Sequence, residues 1–428
     1  MLASRLAQAL AARGIHYGWL MVALVFAYGV AASGAMSIPS VLLLPISEEF
    51  SWTLGEISGP LALRFALFGL VAPFAGALML RYGPRQVVLA SAALLVLGLV
   101  LMLTMATRWQ MWLSLGVLLG IAPGMTALVL GATIATRWFT ARRGLVLGLL
   151  GAGVATGQLL FLPPAAWLAE HYGWRAALAP CVGMIGGLAV LFALLSVDRP
   201  QALGLAPYGE PPGTPAATPA AAPAGNAVAL SFSALREAAR NRVFWVLAFS
   251  FGICGMTSAG LMQPHFVPMC ADFGVAPVTA AGMLALMGVC DLVGTIGSGW
   301  LSDRYDNRWL LAWYYALRGL ALLWLPWSGF SLVGLGLFSV FFGLDYIATV
   351  PPSVKLAAQA FGRDRAPVVF GWIFAAHQLG AGLMAFATGL SRDMLLSYLP
   401  AFFTAGVLCL VAALSIAGIR RPTRPATA

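Results

Sequence analysis

Four charged side chains lie deep inside long runs of apolar residues, where burying a charge is energetically costly. They are Arg64, Asp291, Arg318 and Asp345. On insertion scales a charge at the centre of a lipid bilayer costs roughly 2.5–3.5 kcal/mol, so such residues serve pairing, substrate binding or ion binding. Two positive and two negative charges favour partial internal pairing. We expect Arg318 to pair with Asp291 or with Asp345.

Each of these charges has a functional and a structural interpretation. Arg64 can attract an anionic substrate, or backbone carbonyls at a helix interface can satisfy it. Asp291 can take up and release a proton, since a buried carboxylate without a partner is readily protonated, or it can form a static bond to Arg318. Asp345 can face the substrate, carry the proton or hold Arg318. The sequence leaves these alternatives open.

Neutral polar side chains in the same runs are further candidates for substrate binding. His377 and Gln378, within FAAHQLGAG, can donate to a carboxylate, and the histidine can relay a proton. For His377 the alternative is a hydrogen bond to a neighbouring carbonyl. His265 follows Pro264 near the end of its run, where proline loosens a helix and we expect gating or a substrate contact. Tyr346 is also a candidate, although most aromatic residues in such a chain serve packing or anchoring.

The elements that must position these residues are long apolar helices. Of the 428 residues, 61% are hydrophobic and 9% are charged, whereas soluble domains have about 25% charged residues. Barrel strands alternate in polarity, but these apolar runs are continuous over about 20 residues, the length of a membrane-spanning helix. The sequence predicts an all-α polytopic membrane protein. Its twelve predicted spans are 17–39, 56–79, 87–106, 110–136, 144–168, 175–196, 243–268, 278–301, 309–327, 331–353, 367–390 and 397–418.

A polar interruption divides the spans into two groups of six. Its middle, PYGEPPGTPAATPAAAPAGNA, is rich in Pro, Ala and Gly and predicts a flexible linker, and the following SFSALREAARNR predicts an interfacial helix. The predicted organisation is an N-terminal cytoplasmic segment (1–16), a six-helix half (17–196), a cytoplasmic linker (197–241), a second six-helix half (242–418) and a cytoplasmic tail (419–428).

Lysine and arginine are distributed unevenly between the loops. Most of the 24 basic residues are expected on the side of the termini and the linker, whereas Arg108, Arg175 and Arg392 are expected on the other side. Positively charged loops favour the cytoplasm, so both termini are predicted to be cytoplasmic. The net charge of +10 is then a topology signal, and nucleic acid binding is not expected.

The two halves coincide at many positions when the sequence is shifted by 223 residues. Gly29 then meets Gly252, and charged loop residues meet at the same offset. This pattern predicts an internal repeat. Because each half has six spans, both halves share one orientation and are related by an axis along the membrane normal.

The loops after the second and eighth spans carry the most specific motif. The second copy reads GWLSDRYDNR, and the first, GALMLRYGPR, has Leu80 at the acidic position. The pair resembles the GxxxDRxxRR-type cytoplasmic loop of the major facilitator superfamily. The resemblance implies two pseudo-symmetric six-helix bundles, alternating access, and a cytoplasmic gate in which glycine permits close helix approach. Leu80 implies that the first-half latch is weaker or uses another partner. The motif residues are Gly76, Arg81, Arg85, Gly299, Asp303, Arg304 and Arg308.

Within that superfamily the chain resembles the oxalate/formate antiporter and monocarboxylate transporter branch. The resemblance rests on HYGW at 16–19, RWFTARRG before the fifth span, GWR at 173–175 and Asp291. Thr295 stands where monocarboxylate carriers often have an arginine, and His377 lies in the span where oxalate carriers have a lysine. The branch implies transport of a small organic anion, monocarboxylate-like rather than oxalate, by proton coupling or exchange.

No catalytic, nucleotide-binding or metal-ligand motif occurs in the sequence, so we expect neither an enzyme nor a cofactor nor a metal. The five cysteines are expected to be free thiols. The expected partners are the lipid bilayer, a small carboxylate and a proton or counter-anion, with a monomer sufficient in a bacterial inner membrane. The alternatives are an exporter of a neutral or amphiphilic compound and, from another class, a transporter-like sensor.

Overall fold

The computed structural model describes residues 2–210, 227–362 and 365–419, and these ranges contain helices and no β-strand. The predicted all-α fold is confirmed, and each of the twelve predicted spans coincides with a helix. In chain order these are α1 (Tyr17–Phe50), α2 (54–82), α3 (84–103), α4 (Arg108–Trp138), α5 (Arg143–Tyr172), α6 (Trp174–Leu195), α7 (Arg242–Asp272), α8 (Pro277–Arg304), α9 (Asn307–Trp324), α10 (332–361), α11 (Ala366–Leu395) and α12 (Leu399–Ala417).

Eight continuous stretches of the described chain are long and apolar enough to cross a membrane. One of them, Leu54–Leu103, contains both α2 and α3, because Gly83 interrupts it with a φ of +80° that an L side chain rarely adopts. Two further helical stretches, Arg143–Gly153 and Leu332–Leu344, are apolar but shorter. The second is short because α10 is broken between Leu344 and Val350.

Helices pack against each other both within and between the two predicted halves. Within the halves, α1 packs on α5, α7 packs on α11, and α9 packs on α12. Between the halves, α2 packs on α11 and α5 packs on α8. Large apolar side chains on the outer helices are exposed, as expected of a surface that faces lipid. Examples are Val190 on α6, Trp313 on α9 and Leu414 on α12.

Glycines allow the helices of the second half to approach each other closely. A Cβ atom added to Gly255 on α7 would lie 1.8 Å from the carbonyl oxygen of His377 on α11. A Cβ on Gly294 of α8 would lie 1.8 Å from the carbonyl oxygen of Leu344 on α10. Backbone contacts this close are possible only without a side chain. They bring α7 to the polar segment of α11 and bring α8 to the break in α10.

A helix spans Ala227–Ala238 and overlaps the segment 231–242 where an interfacial helix was predicted; we call it the linker helix. The carbonyl of Ser231 accepts a hydrogen bond of 3.0 Å from Trp372 Nε1 on α11. The ring of Phe232 lies 5.5 Å from the Trp372 ring and 5.8 Å from that of Phe74, between α2 and α11. The linker helix therefore contacts both halves on the side where α1 begins, which we call the arginine-rich side. Residues 211–226, which form most of the predicted Pro-rich middle of the linker, and most of the tail lie outside the described residues.

Candidate functional site

Arg64 is a buried cation without a counter-ion in the described part of the chain. Its side chain lies on α2 and is 1% exposed. Nη1 donates to the carbonyl oxygen of Met36 on α1 at 3.0 Å, and the guanidinium lies 4.6 Å from the centre of the Phe65 ring. Nε has no hydrogen-bond partner among the described residues, and no described carboxylate forms an ion pair with this arginine. The site therefore has an unused donor and an uncompensated positive charge.

His377 and Gln378 lie on α11, the helix that packs against α2. The His377 ring is stacked at 5.8 Å on Phe374 and lies 4.9 Å from the Phe251 ring of α7. Its Nδ1 atom has no partner within the described chain, and neither has Oε1 of Gln378, which is 5% exposed. Both side chains thus keep a polar atom free beside the boundary between the halves.

An aromatic pair joins α2 and α11 close to Arg64 and His377. Phe68 lies one helical turn after Arg64, and its ring meets that of Phe374 edge-to-face at 5.5 Å. The Phe374 ring is stacked on that of His377. Because α2 and α11 run antiparallel, this apolar contact lies on the arginine-rich side of both predicted anion-binding residues.

The Arg318 guanidinium lies in a buried polar cluster inside the second half. Nε donates to Asp345 Oδ2 at 2.7 Å, and the two side chains are 0% and 9% exposed. Nη1 contacts Cys254 Sγ at 3.0 Å and Thr257 Oγ1 at 3.3 Å. Nη2 donates to the carbonyl oxygens of Asp345 and Tyr346, the latter at 3.1 Å. Of the two partners proposed from the sequence, the structure therefore pairs Arg318 with Asp345.

Asp291 forms a separate set of contacts on α8. Its Oδ1 accepts the backbone amide of Ile347 at 2.8 Å and the hydroxyl of Thr295 at 3.0 Å. Thr295, one turn after Asp291, is neutral. Asp291 is 5% exposed, and both of these bonds come from neutral groups. Within the described chain, Asp291 forms no ion pair, whereas Asp345 is paired with Arg318.

His265 and Tyr346 are bonded within the second half. His265 is fully buried, and its Nε2 donates to the carbonyl oxygen of Ala385 on α11 at 2.9 Å. The Tyr346 hydroxyl donates to the carbonyl oxygen of Ser258 on α7 at 3.1 Å. Neither bond involves Arg64, so the structure groups the predicted substrate residues into separate clusters.

The second copy of the loop motif makes its contacts inside its own half. Asp303 forms an ion pair with Lys355 of α10, and the Arg304 guanidinium lies 4.0 Å from the centre of the Trp300 ring. A Cβ on Gly299 would meet nothing within 4 Å, and one on Gly76 would only reach ordinary contact, at 3.8 Å from Val129. The close helix approach expected at these two glycines is therefore absent in this conformation. The motif remains a predicted gate.

In the first copy, a carboxylate from elsewhere in the chain accepts the Arg85 amide. The Arg308 amide donates to Asp306 Oδ1 at 3.0 Å, and at the equivalent place the Arg85 amide donates to Asp198 Oδ1 at 2.9 Å. Arg81, whose guanidinium lies near the Tyr82 ring, is not part of this bond. Asp198, which follows α6, was not among the residues predicted from the sequence. From the sequence, the 223-residue offset between the halves shows only that Gly83 stands where the second half has Asp306.

Comparison with known proteins supplies the family. The model of the Major Facilitator Superfamily matches residues 24–385 and 266–428. Monocarboxylate transporter 13 of Bos taurus is 26% identical over 399 residues, which cover 92% of this chain and 87% of that protein. Monocarboxylate transporter 11 of Mus musculus is 29% identical over 387 residues, which cover 87% and 77%.

Solved structures support the fold alone, because their sequence identity is low. A D-xylose-proton symporter aligns with a TM-score of 0.71 at 14% identity, covering 94% of this chain and 97% of that one. A bacterial homologue of the human lysosomal transporter Spinster, inward-facing and occupied, aligns with a TM-score of 0.70 at 16% identity, covering 94% and 96%. The family model, the repeated six-helix halves and the loop motif agree: the chain belongs to the Major Facilitator Superfamily and is similar to monocarboxylate transporters within it.

Proposed function

We propose that this transporter moves a small organic anion, monocarboxylate-like, by alternating access with proton coupling or exchange. Arg64 is the observation that carries the proposal. It is a buried guanidinium with an unused Nε donor and without an ion-pair partner in the described chain. A carboxylate is the acceptor that a guanidinium fork matches best. The names of the related monocarboxylate transporters favour the same substrate class.

His377 and Gln378 are proposed to complete the anion site from the second half. Their free polar atoms lie on α11, which faces α2 across the boundary between the halves. The Phe68–Phe374 contact joins α2 and α11 on the arginine-rich side of these residues. Alternating access would separate and remake this contact, so access to the anion site would change with the relative movement of α2 and α11.

Asp291 is the proposed proton carrier, with Asp345 as the second candidate. Asp345 Oδ2 already forms an ion pair with the Arg318 guanidinium. Asp291 is bonded by the neutral Thr295 hydroxyl and Ile347 amide, so its negative charge is less strongly held. A carboxylate in that position can gain and lose a proton during the transport cycle.

The proposed arrangement in the cell follows the charge of the loops. We place the arginine-rich side, both termini and the loop motif in the cytoplasm, because basic loops remain on that side. A bacterial inner membrane and a functional monomer complete the proposal.

Uptake into proteoliposomes tests the substrate and the coupling together. Labelled small monocarboxylates are offered with and without an imposed pH gradient to the unsubstituted protein, to Arg64→Ala and to Arg64→Lys. A charged hydrogen bond contributes roughly 1.5–3 kcal/mol, so Arg64→Ala should lower the apparent affinity about tenfold or more. Arg108→Ala is the control, since Arg108 is exposed and bonded to Glu56. Carboxylate uptake that ignores both the gradient and Arg64→Ala would overturn the proposal.

A neutral or amphiphilic substrate is the second candidate, and a separate feature favours it. An open groove of about 390 Å³ runs between α2, α4 and α11 and is lined only by apolar and glycine residues, including Leu63, Trp112 and Phe386. A thermal-shift panel of carboxylates and lipophilic compounds separates the two candidates. Stabilisation by lipophilic compounds alone, lost in Trp112→Ala and unchanged in Arg64→Ala, would favour this one.

A further inference from the structure

A carboxylate outside these clusters joins the two halves on the side opposite the arginine-rich side. Asp393, near the end of α11, accepts the backbone amides of Leu54 at 3.0 Å and Gly55 at 2.6 Å. Leu54 and Gly55 are the first two residues of α2. Because α2 belongs to the first half and α11 to the second, this carboxylate binds across the boundary that has to open during transport.

The first turn of α2 does not pair these two amides within the helix, so they are available to a carboxylate from another helix. Thr53 Oγ1 accepts the Glu56 amide at 3.2 Å, and Glu56 Oε2 accepts the Thr53 amide at 3.0 Å. This capping box does not reach the amides of Leu54 and Gly55, which point out of the helix end. A carboxylate there is favoured twice, by charged hydrogen bonds and by the positive end of the helix dipole.

Gly55 provides the space for the carboxylate. A Cβ atom on Gly55 would lie 2.6 Å from Asp393 Oδ2 and 3.7 Å from Cα of Leu390 on α11. A methyl group at this position would displace the carboxylate end of Asp393, while it would make only ordinary contact with Leu390. The two bonds of Asp393 to the start of α2 therefore depend on a glycine from the opposite half.

Behind Asp393, polar side chains are buried in the closed contact between α2, α7 and α11. The Ser58 and Thr388 hydroxyls are 0% exposed and have no hydrogen-bond partner among the described residues. A Cβ on Gly389 would lie 2.2 Å from Ser58 Oγ, so α2 and α11 are tightly packed at this point. His265 Nδ1 is likewise buried without a partner in the described chain. Unpaired polar groups disfavour a closed interface and gain water when it opens.

We propose that Asp393 is the latch that closes the transport path on this side. When it leaves the amides of α2, Ser58, Thr388 and His265 line the opened path. This inference rests on alternating access, part of the proposed function, but not on the substrate. The same face offers a matched control: the carboxylate of Asp272 is bonded to Arg392 at 2.8 Å, and both residues belong to the second half.

Cysteine labelling at Ser58 tests the latch without any substrate. Ser58→Cys is introduced into the full chain and into the Asp393→Ala, Asp393→Asn and Asp272→Ala variants, in nanodiscs where both faces meet a polar maleimide. The unsubstituted chain, with its five native cysteines, gives the background. Loss of the charged bonds should raise the labelling rate about tenfold or more in Asp393→Ala, and by less in Asp393→Asn, which keeps one acceptor oxygen.

Asp272→Ala should leave the Ser58→Cys labelling rate unchanged. Equal rates in all backgrounds would overturn the latch, and so would an equal increase in the Asp393→Ala and Asp272→Ala backgrounds. If Asp393→Ala does not fold, the latch is tested by comparing the Ser58→Cys labelling rates in the Asp393→Asn and Asp272→Ala backgrounds. Failure of the anion proposal would appear in uptake by Arg64→Ala and would leave these rates as they are.

Discussion

The amide of Ile347 donates to Asp291 Oδ1 at 2.8 Å, so a side chain of α8 holds the main chain of α10 where that helix is broken. Arg318 holds the same break from α9, through the carbonyls of Asp345 and Tyr346. Unpaired backbone groups are costly within a bilayer, and a broken helix is tolerated only where other groups satisfy them. The charges of the second half therefore have a backbone role in addition to any role in coupling.

Substitution of Asp291 separates these two roles. Asp291→Asn keeps an oxygen that can accept the Ile347 amide, but it cannot exchange a proton. We expect this variant to fold and to retain substrate counterflow. Its uptake driven by a pH gradient should fall at least tenfold. Asp291→Ala leaves the amide unpaired and should cost about 1–3 kcal/mol of stability. Proteoliposome uptake and thermal unfolding measure the two effects.

The Asp272→Asn variant is the control for Asp291, because Asp272 forms a partly exposed pair with Arg392 outside the cluster. Its gradient-driven uptake should equal that of the unsubstituted protein. If Asp291→Asn responds to the gradient as the unsubstituted protein does, Asp291 is not the coupling site. Asp345→Asn would then be the next variant to test.

The Arg318–Asp345 pair should not behave as an isolated buried ion pair. Arg318→Ala leaves the Asp345 carboxylate buried without its cation, which costs about 3–5 kcal/mol in such pairs. Replacement of both partners by apolar residues often restores stability. Here Arg318→Met with Asp345→Leu also removes the donor from the carbonyl of Tyr346, so a deficit of about 1–3 kcal/mol should remain.

Unfolding of these variants in detergent gives the double-mutant cycle for Arg318 and Asp345. The matched control is the Arg365–Glu237 pair, whose side chains are 61% and 64% exposed. Removing either partner of that exposed pair should change stability by about 1 kcal/mol or less. A fully restored Arg318→Met/Asp345→Leu protein would show that Arg318 does not support the break.

The fold was predictable because its signals are local. Continuous apolar runs predict the membrane helices, and the Arg81 and Arg304 loops at one offset predict the repeat. The bond between Asp198 and Arg85 was not predictable, since the two residues are far apart in sequence. It depends on how the end of α6 packs against the start of α3. The repeat offset showed that Gly83 stands where the second half has Asp306, but not which distant carboxylate would accept the Arg85 amide.

The candidate site was predictable in its residue types more than in its contacts. A charge in an apolar run is visible in the sequence, so Arg64 and Arg318 could be named. Which carboxylate Arg318 meets depends on the break in α10, which Asp291 stabilises from a different helix. The Phe68–Phe374 contact, which joins α2 and α11 near Arg64 and His377, gave no signal, because aromatic residues are common in membrane helices.

The close contact between α7 and α11 at Gly255 gives a last prediction. A methyl group there would lie 1.8 Å from the carbonyl oxygen of His377 and 2.6 Å from its carbon, and backbone atoms cannot move aside like a flexible side chain. Gly255→Ala should therefore separate the helices, displace His377 and destabilise the protein by about 1–3 kcal/mol or more. Gly282→Ala on α8 meets nothing within 4 Å and should be neutral or stabilising by up to about 1 kcal/mol. Thermal unfolding and carboxylate uptake compare the two, and equal stability with equal uptake would show that the glycine contact does not position His377.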